Sequence, residues 1–378
     1  MLTGSVNLEL TFFHPGTYQQ KLKHCTPEEK PIIQEELDAH QSRAQDAYAA
    51  KKLDKQESKE DPTKQVICFD LEQVLPCPLL PSGETFYKRQ LSVYNLTVYN
   101  CSTQTGTNYM WSEIEAGRGA NEISSCIVRY IKEEVPPSVT HLTMYSDSCS
   151  GQNKNSHMCA SLISAVNDHP SLETIDHKFL VPGHTFMECD QIHAQIEKKK
   201  KKVTSEIHHP DSWFNFVRTV PYMKTHLLVR EMKQEHFFDY ASLLQQKKNG
   251  PLVMRDKNSN GEPFLFSPVQ WFRFQKETPT TVLYKVDLGK DSAFKELNFR
   301  RRGKLGKQVL QPKQCYEQKL PISVLKKNDL LSLLPQINPI YHQFYQNLPA
   351  SSKSKDIDPD IVPASLDIAE ELRASVDD

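Results

Sequence analysis

Three aspartates sit where their chemistry asks for an explanation. Asp70 interrupts the apolar run QVICFDLEQVLP, Asp147 follows the strand-forming run THLTMY, and Asp190 lies early in TFMECDQIHAQIEKKKKK. A charge inside an apolar strand is rarely kept without a partner. Three carboxylates brought together repel one another unless a dication neutralises them. Ligand sets made only of oxygen suit Mg²⁺ or Mn²⁺. Two such ions about 4 Å apart are the arrangement for in-line attack on a phosphodiester. Two of the acids also have a plainer reading. Asp147 alone suits a turn, and Asp190 alone suits the positive end of a helix.

The surrounding elements must decide whether the acids can meet. QVICFDLEQVLP reads as a first strand, TFYKRQLSVYNLTVYNC (85–101) as a second and NYMWSEIEAGR (108–118) as a third. NEISSCIVRYIKEEV (121–135) places apolar residues at helical spacing. THLTMYSD predicts a fourth strand, 157–169 a helix, IDHKFLVPG (175–183) a fifth strand and 185–202 a last helix. The order βββαβαβα predicts an α/β fold, a mixed five-stranded sheet flanked by helices. Strands one and four of such a sheet can be neighbours. Asp70 and Asp147 then share an edge, and a helix N-terminus can deliver Asp190 beside them.

Outside this core the reading is coarser. Thr26, Pro27 and Glu29 resemble the start of a long polar helix running to Lys52. Residues 53–64 read as a charged linker, so 1–64 form an N-terminal helical segment ahead of the core at 65–210. Residues 211–348 suggest a C-terminal α+β domain, with a strand near 280–287 and short helices within 320–348. Residues 351–378 carry eight acids against three bases, and 349–378 is expected to be a disordered acidic tail.

Composition excludes some classes. The chain has 378 residues, 38% hydrophobic and 25% charged, with a net charge of −1. No global basic field announces a nucleic-acid partner, so any such binding must be local. Nine cysteines are scattered without a CxxC pair, which leaves zinc ribbons unsupported. Cys149, Cys159 and Cys189 lie near the acids and read as small buried residues. No apolar stretch approaches membrane length, and a reducing intracellular compartment is expected. The sequons at Asn95 and Asn100 then read as coincidental.

In order, FDLEQVLPCP, YKRQLSVYN, MWSEIEAGRGANEISSC, YSDSCSGQNKN and VPGHTFMECDQIHAQIE resemble a large family of animal transposon-derived proteins that carry an RNase H-like transposase domain. The resemblance spans about 65–205 and continues loosely through WFRF at 271–274 and the 320–345 segment. It implies an RNase H-like core of the DDE/D type, a metal-dependent DNA transposase or endonuclease. On that reading Asp70, Asp147 and Asp190 hold Mg²⁺ or Mn²⁺. Glu197 competes with Asp190 for the third place, being two helical turns on, and Glu188 is a weaker candidate.

Candidate DNA contacts are Gln152, Asn153 and Lys154 after the second acid, His184 and His193 around the third, and Arg118 in a block shared with Trp111, Glu113 and Glu122. The lysine run 198–202, with Lys199 and Lys200, and the stretch 299–308, with Arg301, suit phosphate contact or a nuclear address. DNA is the expected partner, a homo-oligomer is compatible, and the expected location is nuclear or else cytoplasmic. Only Cys25 stands where an upstream end-recognition module is expected, as in a truncated or domesticated copy. The alternative is therefore a catalytically inactive scaffold that binds nucleic acid or protein.

Overall fold

The apolar run that carries Asp70 is the axis of the sheet. The computed structural model describes residues 15–202, 206–223, 225–244, 250–289, 291–301 and 310–356. Lys64–Leu71 is β1, and Val66, Ile67, Cys68 and Phe69 are all buried, as in a strand covered on both faces. After it come β2 (Leu75–Cys77), β3 (Leu91–Asn100), β4 (Thr105–Ser112), β5 (His141–Ser146) and β6 (Thr174–Phe179). Two helices precede β1, namely α1 (Pro15–His24) and α2 (Lys30–Glu60). Between and after the later strands lie α3 (Ala120–Glu134), α4 (Ser156–Asp168) and α5 (Glu188–Lys202). Apart from the short β2, the expected alternation of elements is present.

β1 pairs antiparallel with β3, and β3 with β4. On its other side β1 runs parallel to β5, and β5 parallel to β6. Cys68 sits opposite Tyr145, so Asp70 and Asp147, each two residues further on, leave the sheet at the same edge. The sheet is wider than the expected five strands. β7 (Leu228–Glu231) lies parallel beside β4, while β8 (Trp271–Gln275), β9 (Thr281–Lys285) and β10 (Lys295–Asn298) extend it antiparallel beyond β6. The order is β10-β9-β8-β6-β5-β1-β3-β4-β7, with β2 pairing off this path to β3. The strands Leu228–Glu231, Trp271–Gln275, Thr281–Lys285 and Lys295–Asn298 thus continue the core sheet across the boundary expected at 210. The reason is the rim of β6: left open, its backbone donors and acceptors would lack partners.

Residues 53–60, expected as linker, are the last turns of α2. Leu37, His40, Ala44, Ala47, Lys51 and Ser58 form its buried stripe. Three of these are polar, which is why the periodicity is faint. The capping contacts expected of Thr26 and Glu29 are made: Glu29 N–H donates to Thr26 Oγ1 at 3.3 Å, and Thr26 N–H donates to Glu29 Oε2 at 2.9 Å. Asp54 latches the helix to the sheet, accepting from Tyr145 Oη and Lys178 Nζ, both at 2.5 Å.

The tail also begins later than expected. Ala350–Ser351 pairs in parallel with Ile322–Ser323, and Ser323 Oγ donates to Asp356 at 2.7 Å. Residues 357–378 of the expected tail lie outside the described residues. Asn95 and Asn100 of the two sequons are buried in β3. No helix among the described residues is long and apolar enough to cross a membrane.

Removing the Asp54 latch leaves the Lys178 ammonium, only 6% exposed, without its carboxylate. Asp54→Ala is expected to cost about 3 kcal/mol in urea unfolding and to open residues 53–60 to limited proteolysis. Unchanged stability would mean that α2 is held by its buried stripe and by the pairs of Lys51 and Lys55 with Glu188, without the Asp54 latch.

Candidate metal centre

The acid edge is assembled from three elements. β1 supplies Asp70, opposite Thr97 of β3. α5 crosses this face with Cys189, Ile192 and Ile196 buried against the sheet. It can come so close because β4 has Gly106 there; a Cβ at that position would overlap the Ile192 side chain. Docked this way, α5 carries Asp190 and, one turn on, His193 over β1. One ligand atom from each of Asp70, Asp190 and His193 lies within 4.8 Å of the other two. Ligands that share a dication at about 2.1 Å stand no more than about 4.2 Å apart, so small side-chain rotations suffice.

Asp147 comes from the end of β5. Its Oδ1 accepts from the Cys149 N–H at 3.1 Å and from Asn153 Nδ2 at 2.5 Å. Burial raises its pKa, and these bonds and the Lys154 ammonium oppose that rise. Burial, then the charges of Asp147 and Asp190, hold Asp70 well above the usual carboxylate range. The carboxylates therefore crowd one another with too little positive charge between them. This is the donor chemistry a hard dication fits.

His193 completes the group. Its Nε2 is 3.0 Å from Thr97 Oγ1, and that hydroxyl donates its one proton to Asn108 Oδ1 at 2.9 Å. Thr97 must then accept from His193, which assigns the proton to Nε2 and a lone pair to Nδ1. Burial pushes the pKa of His193 down to about 4, so the ring is neutral near pH 7.

Residues overlooked in the sequence lie alongside. Asn95 Nδ2 donates to Glu72 Oε2 at 2.8 Å and contacts Asn108 Oδ1 at 3.1 Å. Burial pushes Glu72 up to about 8. Glu72 is two residues past Asp70, so the alternation of a strand was the signal available in FDLE. Its Oε1 has no hydrogen-bond partner and is buried.

The remaining candidates are placed as follows. Glu197 is paired with Lys200 at 2.6 Å, outside the group of Asp70, Asp190 and His193. Glu188 is drawn away by Lys51 and Lys55 at 2.6 and 2.5 Å; burial would raise it, but these lysines hold it down to about 2. Gln152, Asn153 and Lys154 were expected to face DNA, yet all three are buried. Three successive N–H groups, of Gln152, Asn153 and Lys154, converge on the Cys149 carbonyl, and Gln152 Nε2 reaches the Arg118 carbonyl at 3.4 Å. Lys154 Nζ sits 4.7 Å over the Phe179 ring, and burial pushes it down to about 8. These residues shape the loop that holds Asp147.

Arg118 is also buried, 5.9 Å over the Tyr94 ring. The adjoining helix start is occupied from within, since the Gly119 N–H donates to Glu122 Oε2 at 2.8 Å. His184 packs its ring 5.3 Å from His40 of α2. Lys199 Nζ donates to the Thr219 carbonyl at 2.7 Å, whereas Lys198, Lys201 and Lys202 are exposed. Arg301 ends a described segment, and 302–308 of that basic stretch lie outside the described residues. A basic surface not foreseen lies on α2: Lys51, Lys52, Lys55 and Lys59 line a cleft of about 520 Å³ that reaches Phe186 and Gln191 beside the start of α5.

Comparison with family models, with curated proteins and with solved structures gave no match.

Two outcomes are expected of this geometry. Asp70→Asn removes a buried like charge and should raise the unfolding temperature of metal-free protein by about 2–4 °C. Mn²⁺ should then stabilise the wild type and leave the variant unmoved. The second concerns His177, fully buried, with Nε2 2.9 Å from Ser146 Oγ. Burial, aided by Lys154, pushes its pKa down to about 3, from 6.5. The unfolded chain takes up a proton between those values that the folded chain refuses. This stability is present above pH 6.5 and is lost as pH falls towards 3, by up to about 1.4 kcal/mol per pH unit. Urea titrations of His177→Gln should show a shallower loss on acidification than wild type.

Proposed function

We propose that this chain is a transposon-derived protein whose core is RNase H-like, and that it cuts and joins DNA phosphodiesters with Mg²⁺ or Mn²⁺. One observation carries the proposal. Asp70, Asp190 and His193 have ligand atoms within 4.8 Å of one another, and Asp147 is near enough for its charge to raise Asp70. The antiparallel β1, β3 and β4, followed by the parallel β5 and β6, fit the RNase H-like reading. So do the ordered motifs from FDLEQVLPCP to MECDQIHAQIE.

In this mechanism Asp70, Asp147 and Asp190 would hold the ions, and His193, neutral near pH 7, would be available as a further ligand. When bound, two such ions activate the attacking water or 3′-hydroxyl and stabilise the leaving oxygen. The chain's own residues prepare the site. Thr97 fixes the His193 ring. Asn153 and the Cys149 N–H aim Asp147. Ile192, seated over Gly106, sets the depth of α5. Of the lysines that line the α2 cleft, the exposed Lys52 and Lys59 give a phosphate backbone a path towards the start of α5. A nuclear address on this reading rests on the lysine run 198–202 and the stretch 299–308.

The test is cleavage of supercoiled and oligonucleotide DNA by purified protein with Mg²⁺ or Mn²⁺. Wild type should nick it, and Asp147→Asn should lower the rate by at least about 10³-fold. Absence of cleavage with either ion, across substrates, sinks the enzymatic claim. If Mn²⁺ still stabilises such an inactive protein, the scaffold alternative takes its place.

A further inference from the structure

A second cluster of ligating groups lies behind the acids and has a different chemistry. Cys68 on β1 and Cys101, just past β3, are both buried, and Glu188 and Cys189 open α5. The Cys101 N–H donates to the Val66 carbonyl at 2.8 Å, so the pairing of β1 with β3 itself sets the two cysteines close together. One ligand atom from each of Cys68, Cys101 and Glu188 lies within 4.8 Å of the other two. Cys68 Sγ is 3.3 Å from Glu188 Oε2 and 3.7 Å from Cys189 Sγ. Around a tetrahedral zinc, with bonds of about 2.3 Å to sulfur and about 2.1 Å to oxygen, two sulfurs stand about 3.8 Å apart and a sulfur and an oxygen about 3.6 Å.

We infer that Cys68, Cys101 and Glu188 form a metal site for a borderline-soft dication of the Zn²⁺ class, separate from the acid edge, with Cys189, beside Cys68 but outside that group, turning in as the fourth ligand. Charge supplies an independent argument. Two ammonium groups, Lys51 and Lys55, converge on the single Glu188 carboxylate, and Lys51 is 8% exposed. One carboxylate cannot balance two partly buried cations. Three thiolates and a carboxylate around a dication, with both lysines, sum to neutrality. Without the ion, the Cys189 thiol lies 3.4 Å from the carbonyls of Cys68 and Thr97, serving as a weak donor.

Thiolates select against Mg²⁺, and carboxylates near Asp70 select for it. The two sites can therefore fill independently, although Cys189 and Asp190 are consecutive. An ion at the thiols would pin the first turn of α5 to β1 and β3, which fixes where Asp190 and His193 stand.

The experiment uses the full chain, purified reduced and incubated with Zn²⁺, then desalted and measured for metal by mass spectrometry. Stoichiometric zinc is expected. It should persist in the Asp70→Asn/Asp190→Asn double variant and be lost in Cys68→Ser and Cys101→Ser. Because cysteine variants can fail to fold, Co²⁺ is also added to wild type, where thiolate-to-cobalt charge-transfer bands and intense tetrahedral bands are expected. No retained zinc, zinc that leaves with the aspartates, or a weak octahedral cobalt spectrum overturns the inference. None of these outcomes depends on DNA cleavage, so loss of the nuclease reading would leave this one standing or falling on its own.

Discussion

The acid edge depends on the parallel pairing of β1 with β5. Parallel strands point their C-terminal ends the same way, so acids near those ends meet, whereas antiparallel pairing would separate them by the length of the sheet. The register matters as much as the direction. Cys68 opposite Tyr145 sets Asp70 level with Asp147. A slip of one residue would turn Asp70 to the other face of the sheet. The apolar residues Val66 to Phe69 hold that register, and in doing so they bury a carboxylate among others of like charge. Burial first, and then the charges of Asp147 and Asp190, hold Asp70 well above its usual range.

The second dependence is on α5. Its buried stripe of Cys189, Ile192 and Ile196 faces the sheet, and the positions between carry chemistry. Asp190 and His193 turn to the hard acid group, while Glu188 and Cys189 turn to the thiols. Neighbouring positions on one helical turn thus face two clusters of contrasting chemistry, carboxylates with an imidazole on one side and thiols with a carboxylate on the other. Gly106 sets the approach distance for both.

What could be read in the sequence, and what could not, divides by range. The alternation of strands and helices from Lys64 to Lys202 was legible because each element carries its own period. The placement of Asp70 and Asp147 at one edge followed once strands one and four were taken as neighbours, but the ligand group joins Asp70 to Asp190 and His193 and leaves Asp147 outside it. Gln152, Asn153 and Lys154 were read as DNA contacts because polar side chains in loops look solvent-facing, and Lys199 because it stands in a lysine run on the last helix. Their partners, Thr219, the Arg118 carbonyl, Asp147 and the Ser267 carbonyl, are tens of residues away in most cases and leave no local pattern. The same holds for the cysteines. Cys68, Cys101 and Cys189 come together through strand pairing and helix docking, with no shared motif to announce them. Residues 53–60 looked like linker because α2 buries Lys51 and Ser58 where an apolar side chain would be expected, and ion pairs compensate.

The pairing of β8 along the whole of β6 has a bearing on how such a core could be inherited. From Trp271 to Gln275 every residue of β8 faces one on β6, and Phe272 of β8 and Phe179 of β6 meet edge to face at 5.9 Å. Arg273 clasps Asp176 of β6 through two bonds, at 2.7 and 2.9 Å. A chain that kept every acid but ended soon after α5 would present β6 as a bare rim, with the buried Asp176 left only its His141 contact at 2.8 Å. Such a product would seek another strand, from a neighbour or an aggregate. Loss of everything beyond α5 would therefore undo the fold while leaving each candidate acid in place.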